Sequence, residues 1–236
     1  MILITCLRSL AFYVLSVLLA LPFLLLLPGL VLPRAVALAV TGVYLRLQLR
    51  LLAVVCGVRY RLQGLENLPD GPCLIASQHE SAWETLYFQV LLDRPVMFAK
   101  KEVFQYPLLG LLARKIGHIP VDRGGSADAV RDGFRRGRDV AATGRKILVF
   151  PTGTRGTAGE GRMMIQTGVG VLYQLLDLPA VPVLLNSGRC WPAKSLLKHP
   201  GTITVQILPP IAAGQDRHAF LQRLGDDLNR PLAEAG

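Results

Sequence analysis

Hydrophobic and polar positions alternate in two different textures along this chain of 236 residues. No acidic residue precedes Glu66, and between Leu10 and Leu32 the apolar run is broken only by Tyr13, Ser16, Pro22, Pro28 and Gly29. As a helix, such a run of about 23 residues would be roughly 35 Å long, enough to cross a hydrocarbon core. Pro22 and Pro28 would each remove a backbone donor and bend it. A second apolar segment, PRAVALAVTGVYLRLQLRLLAVVCG, places Arg46 and Arg50 on one helical face. That pattern suits a helix lying in a membrane interface with its arginines among the headgroups. Three arrangements are open: a span followed by an interfacial helix, a two-helix hairpin that enters and leaves one leaflet, and a cleaved signal peptide. The signal peptide fits least, because the apolar run is long and the charge before it is a single Arg8. A buried helix of a soluble domain should show a polar face, which is missing. Arg34, Arg46, Arg50, Arg59 and Arg61 follow the first segment. By the positive-inside tendency they put the remainder on the cytoplasmic side of a cell inner membrane.

From about residue 58 short apolar runs alternate with amphipathic stretches. PCLIAS, PVMFAK, HIPVD, KILVFP, AVPVLLN and TITVQIL read as strands. Helices are predicted over Trp83–Leu92, Leu108–Lys115, Ser126–Thr143, Val169–Leu176 and His218–Asn229. The expected fold class is therefore α/β, a mixed sheet flanked by helices. The expected organisation is a membrane-embedded two-helix segment over residues 1–57 and one domain over 58–236. Ligands of such sheets sit at the carboxyl ends of the strands, where SQHES follows PCLIA and PTGTR follows KILVF.

Composition sharpens the membrane reading. The net charge of +10 asks for a polyanionic partner, either nucleic acid or an anionic membrane. The hydrophobic fraction of 51% favours the membrane lipids, and no nucleic acid is expected. The cysteines, Cys6, Cys56, Cys73 and Cys190, are scattered without a C-x-x-C pair, so neither a disulfide framework nor a metal site is expected.

Three clusters carry candidate chemistry. In SQHESAWE, His79 and Glu84 would point about 140° apart on one continuous helix. They meet if His79 sits in the loop before the helix and Glu84 in its first turns. Glu84 would then fix one imidazole nitrogen and leave the other to take a proton from a hydroxyl. Taken alone, a histidine at a helix entrance is more often structural than catalytic. In FPTGTRGTAGEGR, the glycines let the backbone approach a ligand closely, and Arg155 and Arg162 suit a phosphate. An ordinary surface loop has the same composition, and the G-K-[ST] ending of a P-loop is absent. In FAKKEVFQYPLLGLLARKIGHIPVDRGG, Lys100, Lys101, Arg114, Lys115 and Arg123 interleave with apolar residues. This reads either as a solvated basic face or as a seat for an anionic headgroup.

In this order and spacing the clusters resemble the glycerolipid acyltransferase family, in particular its bacterial 1-acyl-sn-glycerol-3-phosphate acyltransferases. HESAWE resembles the first family block, KKEVFQYPLLGLLARKIGHIPVDR the second, FPTGTR the third and VPVLLNSG the fourth, over roughly residues 58 to 190. The resemblance implies that His79 deprotonates the 2-hydroxyl of lysophosphatidic acid, with Glu84 in place of the family's aspartate. It implies a phosphate site of Lys101, Arg123, Thr152, Gly153, Thr154 and Arg155. The apolar helices and the fourth block, Val181, Pro182 and Val183, would accommodate acyl chains. The donor would be acyl-CoA or acyl-ACP, with no metal or further cofactor, because the thioester is already activated. Thr152 stands where the family has glutamate, which keeps a hydroxyl and loses a charge. Two other readings stay open: an acyltransferase for another lyso-lipid such as a lyso-ornithine lipid, and a non-catalytic lipid-binding protein on the same fold.

Overall fold

The structure, a computed structural model, describes residues 2–25, 33–92, 95–122, 127–156 and 162–232. Helices α1 (Ile2–Leu25) and α2 (Arg34–Cys56) precede β1 (Val58–Gln63), and α2 is closed by Gly57 in the left-handed conformation. Then follow β2 (Leu74–Ser77), α3 (Trp83–Leu91), β3 (Val96–Lys100), α4 (Pro107–Ile116), β4 (Ile119–Val121), α5 (Ala127–Ala141) and β5 (Ile147–Val149). The chain continues with α6 (Gly168–Leu176), β6 (Ala180–Leu185), a short α7 (Ser187–Cys190), β7 (Gly201–Ile207) and α8 (Arg217–Leu228).

The strands form one seven-stranded sheet in the order β1-β7-β6-β2-β5-β3-β4. From β6 to β4 every neighbouring pair is parallel; β7 runs antiparallel to β6, and β1 parallel to β7. The central strands are short and apolar because both their faces are covered. Ile75, Val181 and Val183 enter a core with α1, α2 and α3, whereas Leu74, Ala76, Ala180 and Leu184 enter a second core with α5, α6 and α8. Strand β1 is absent from the expected set. Its residues VRYRLQ mix cations with apolar positions, and it forms an edge whose middle residues Arg59, Tyr60 and Arg61 are exposed.

The first helix is turned inside out relative to a soluble fold, whereas α2 buries Leu45, Gln48, Leu52 and Cys56 and exposes Arg46 and Arg50. On α1 the buried positions are Ser9 and Phe12, while Leu3, Leu7, Leu10, Val14, Val17, Leu18 and Leu21 face outward. The Ser16 hydroxyl donates to Gln48 Oε1 (3.0 Å) between the two helices. Polar groups inside and leucines outside are the arrangement demanded by an apolar surrounding solvent. Both helices are long and apolar enough to cross a membrane, and the protein is membrane-associated. They also belong to the body of the fold: Phe12, Leu52 and Cys56 lie in the first core, and each large apolar side chain buried there contributes about 1.5–3 kcal/mol. At its other end α2 is held by Arg34, which donates to the Ile116 carbonyl at the end of α4 (2.9 Å).

Candidate active site

The carboxyl ends of β2, β5, β3 and β6 are neighbours in the sheet, so the loops that follow them converge. After β2, Gln78 ties the first loop down. Its amide nitrogen donates to the Leu228 carbonyl (2.7 Å), and its side-chain oxygen accepts from Leu185 N–H (2.7 Å). His79 and Glu80 follow in extended loop, and Ser81 accepts from Trp83 N–H (2.9 Å) at the start of α3.

Glu84 lies in the first turn of α3 and is completely buried. Its Oε1 accepts from Glu80 N–H (2.8 Å) and Ser81 N–H (2.7 Å), the loop amides just ahead of the N-cap Ala82. The same oxygen lies 2.8 Å from His79 Nδ1. Its Oε2 accepts from the Ser187 hydroxyl (2.7 Å). With donors on every side, the buried carboxylate is compensated as a charge. The imidazole ring stacks on Phe150, with centroids 4.0 Å apart. Nδ1 is thereby turned to the carboxylate, and Nε2 is the nitrogen left for the adjoining cavity.

That cavity, about 640 Å³, is lined by His79, Lys100, Thr154, Arg155 and Lys194 among others. Its volume suits a ligand of moderate size. Of the chain's histidines, His79 alone faces it. His118 is half-buried beside β3, where desolvation, reinforced by Arg145 and Arg34, pulls its imidazole down to about 4. It accepts Met97 N–H on Nδ1 (3.3 Å).

The loop after β5 closes against the first. Gly153 N–H donates to the Phe150 carbonyl (2.9 Å) in a tight turn, with Gly153 at φ +73°, a conformation that favours glycine. Gly156 N–H donates to the His79 carbonyl (2.9 Å), so the two loops hold each other. Arg155 is exposed at the cavity rim. The Thr152 hydroxyl is turned onto the Thr154 carbonyl (2.9 Å), within its own loop.

Several expected positions fall elsewhere. Lys101 starts a 3-10 turn and is ion-paired with Asp122 (2.5 Å), and it is the preceding Lys100 that lines the cavity. Val181, Pro182 and Val183 are all buried in β6, in the middle of the sheet between β2 and β7. They set the position of Asn186 and Ser187. A second cavity of about 440 Å³, lined by Phe98, Phe134, Val149 and Leu172, shares Phe150, Gly153 and Thr154 with the first. Arg123 lies outside the described residues. Ser187 and Lys194 belong to the site without having been singled out in the sequence: Ser187 lies near the end of the fourth block, VPVLLNSG, and Lys194 follows it, and nothing in their local pattern marks them.

Glu80 gives the site a measurable pH signature. Its carboxylate accepts Gly188 N–H (2.9 Å). Burial raises its carboxyl from 4.5 to about 7; the Gly188 bond opposes this, and the Glu84 charge adds to it. The folded state therefore favours the protonated form. The stabilisation is full below about 4.5 and is lost as pH rises through about 7. Glu80→Gln is expected to flatten the loss of thermal stability between pH 5 and 8. Melts of both proteins at several pH values check this, and identical pH slopes would contradict it.

The acyltransferase family model matches residues 59–186. The 1-acyl-sn-glycerol-3-phosphate acyltransferase of Pseudomonas aeruginosa is 33% identical over 168 residues, covering 71% of this chain and 65% of that protein. The 1-acyl-sn-glycerol-3-phosphate acyltransferase of Limnanthes alba is 33% identical over 158 residues, covering 66% of this chain and 55% of that one. The chain thus spans less than two thirds of the length of these relatives. The crystal structure of the 1-acyl-sn-glycerophosphate (LPA) acyltransferase PlsC from Thermotoga maritima superposes with a TM-score of 0.73 at 17% identity, covering 94% of this chain and 93% of that one. The fold is shared with it almost end to end.

Proposed function

This chain belongs to the acyltransferase family, and we propose that it transfers an acyl chain from acyl-CoA or acyl-ACP to the 2-hydroxyl of 1-acyl-sn-glycerol-3-phosphate, giving phosphatidic acid for phospholipid synthesis. The observation that carries this reading is an imidazole fixed at Nδ1 by Glu84, beside a cavity rimmed by Lys100, Arg155 and Lys194.

In the proposed reaction His79 Nε2 takes the proton of the acceptor hydroxyl as its oxygen attacks the thioester carbon. The buried Glu84 charge stabilises the imidazolium that forms. The tetrahedral adduct collapses with loss of the thiolate, which receives the proton from His79. One C–O bond replaces one C–S bond, and the histidine ends as it began. Arg155, with Lys100 and Lys194, would hold the acceptor phosphate, with Gly153 allowing close backbone approach. The apolar second cavity, which shares walls with the first, would offer room for an acyl chain. No cofactor beyond the thioester donor is assigned.

The hairpin of α1 and α2 would lie in one leaflet rather than span the bilayer. Both ends of α2 are fastened to the same α/β domain, at Ile116 and in the first core, so the helix runs along the domain's flank. The active-site mouth would then meet headgroups from the cytoplasmic side of the inner membrane. Arg155→Ala is expected to raise the acceptor KM about 10- to 100-fold, the loss of one charge-assisted contact, with a smaller change in kcat. Steady-state kinetics in mixed micelles check this. An unchanged KM would remove Arg155 from the phosphate site.

A further inference from the structure

Short helix α7 touches the active site with one end and membrane helix α1 with the other. At the site end, the Ser187 hydroxyl donates to Glu84 Oε2 (2.7 Å), and Gly188 N–H donates to Glu80 (2.9 Å). The fit is close: a Cβ on Gly188 would lie 3.1 Å from a Glu80 carboxylate oxygen. At the other end, Trp191 N–H donates to the Ser187 carbonyl (2.8 Å), and His199 N–H to the Cys190 carbonyl (2.8 Å). The Trp191 ring meets Phe12 of α1 edge-on, centroids 5.9 Å apart.

Lys198 completes the link and has no part in the proposed chemistry. It is fully buried although it is a lysine. Its ammonium donates to the Tyr13 hydroxyl (2.7 Å) and the Leu196 carbonyl (3.0 Å), and lies 4.4 Å from the centre of the Trp191 ring. Its backbone N–H donates to Ser9 Oγ (2.9 Å). A buried ammonium is costly unless paired, and here α1 supplies the Tyr13 phenol while Leu196 and the Trp191 face supply the rest. Withdrawing α1 would uncover Lys198, remove its Tyr13 and Ser9 partners and take Phe12 from the ring of Trp191, whose backbone holds the C-terminal end of α7.

We propose that Ser187 is a positioning residue for the His79–Glu84 pair, and that α7 carries the seating of α1 to it through Trp191 and Lys198. Acyl transfer then depends on a contact made by the helix that meets the lipid. Ser187 fixes the carboxylate oxygen that the Glu80 and Ser81 amides leave free, so Glu84 keeps a single orientation toward Nδ1.

This rests on the reading of His79 and Glu84 as the catalytic pair, so the test has two readouts. Full-length wild type, Ser187→Ala, Lys198→Met and the double variant are prepared in the same lipid micelles. Acyl transfer from acyl-CoA to lysophosphatidic acid is measured for each. The imidazole N–H signal of His79 is followed in protein carrying ¹⁵N-histidine and assigned with His79→Ala. Ser187→Ala is expected to lower kcat about tenfold, the factor for one hydrogen bond to a charged acceptor, with the acceptor KM unchanged. Lys198→Met is expected to lower kcat in the same direction, and the double variant to be no worse than the poorer single one, as coupled residues behave. The His79 N–H signal should broaden or vanish in both single variants. Multiplicative losses in the double variant, or a wild-type His79 signal in Lys198→Met, would overturn the proposal. If Lys198→Met fails to fold, Ser9→Ala replaces it in the same cycle. If wild type transfers no acyl chain, the functional reading fails, while the His79 signal still decides the coupling.

Discussion

His79→Ala is expected to lower acyl transfer by about 10²- to 10⁴-fold, the range supplied by a positioned general base. Among the described residues that line the cavity, no other side chain offers a base in its place. Glu84 is fully buried behind the ring, and the other titratable groups at the cavity, Lys100, Arg155 and Lys194, are cations. The loop should survive the change, because Glu84 Oε1 keeps the Glu80 and Ser81 amides and Gly156 still bonds the residue 79 carbonyl. The melting temperature should therefore move by only a few degrees while turnover collapses. Substrate binding should persist, since the phosphate contacts assigned to Arg155 and its neighbours are untouched. Rates over a pH series and a thermal melt check both halves. A variant with near-wild-type kcat would take the base away from His79.

Two substitutions of Glu84 are expected to separate its roles. In Glu84→Ala the Glu80 and Ser81 amides and the Ser187 hydroxyl lose their acceptor inside the protein. Unsatisfied buried donors cost about 1–3 kcal/mol each, so a fall in melting temperature of roughly 10 °C is expected. Activity should drop as far as in His79→Ala. In Glu84→Gln the amide oxygen is pinned at the Oε1 position, because two backbone N–H groups point there. It can still accept the His79 Nδ1 proton, so the tautomer is kept and the stabilising charge is lost. A loss of about 10- to 100-fold with a nearly native melting temperature is expected. Equal behaviour of the two variants in melting and rate would show that the carboxylate has one role rather than two.

How far the sequence could be read depends on the range of each interaction. The central strands announce themselves as unbroken apolar runs because helices cover both faces, and the helices between them as amphipathic stretches. The His79–Glu84 contact was legible because five residues fix it: a loop, a helix start and an acid in the first turn. Strand β1 was hidden by its arginines, which are tolerated at an exposed edge. Lys100 and Lys101 are neighbours with opposite fates, divided by the point where β3 gives way to a 3-10 turn and Asp122 captures the second ammonium. Ser187 meets Glu84 across 103 residues, and Lys198 meets Tyr13 across 185. No local pattern encodes such contacts. In the fourth block, VPVLLNSG, Val181, Pro182 and Val183 are buried in β6, and Ser187 near its end reaches Glu84.

The inside-out character of α1 shows the same division. Its length and apolarity were plain, and they admitted a span, a hairpin or a signal peptide. The stripe of Ser9, Phe12 and Ser16 gained meaning only with the partner surface present, where Phe12 enters the core and Ser9 and Ser16 find hydrogen bonds. Ser9 ties the helix to Lys198 of the domain, and Ser16 ties it to Gln48 of α2.

The most direct test is acyl transfer by the purified full-length protein, with lysophosphatidic acid and a lyso-ornithine lipid offered in parallel and acyl-CoA and acyl-ACP as donors. Phosphatidic acid formed by the wild type, and absent with His79→Ala, is the predicted result. Product from the lyso-ornithine lipid alone, or no product from any pair with folded protein, would contradict it.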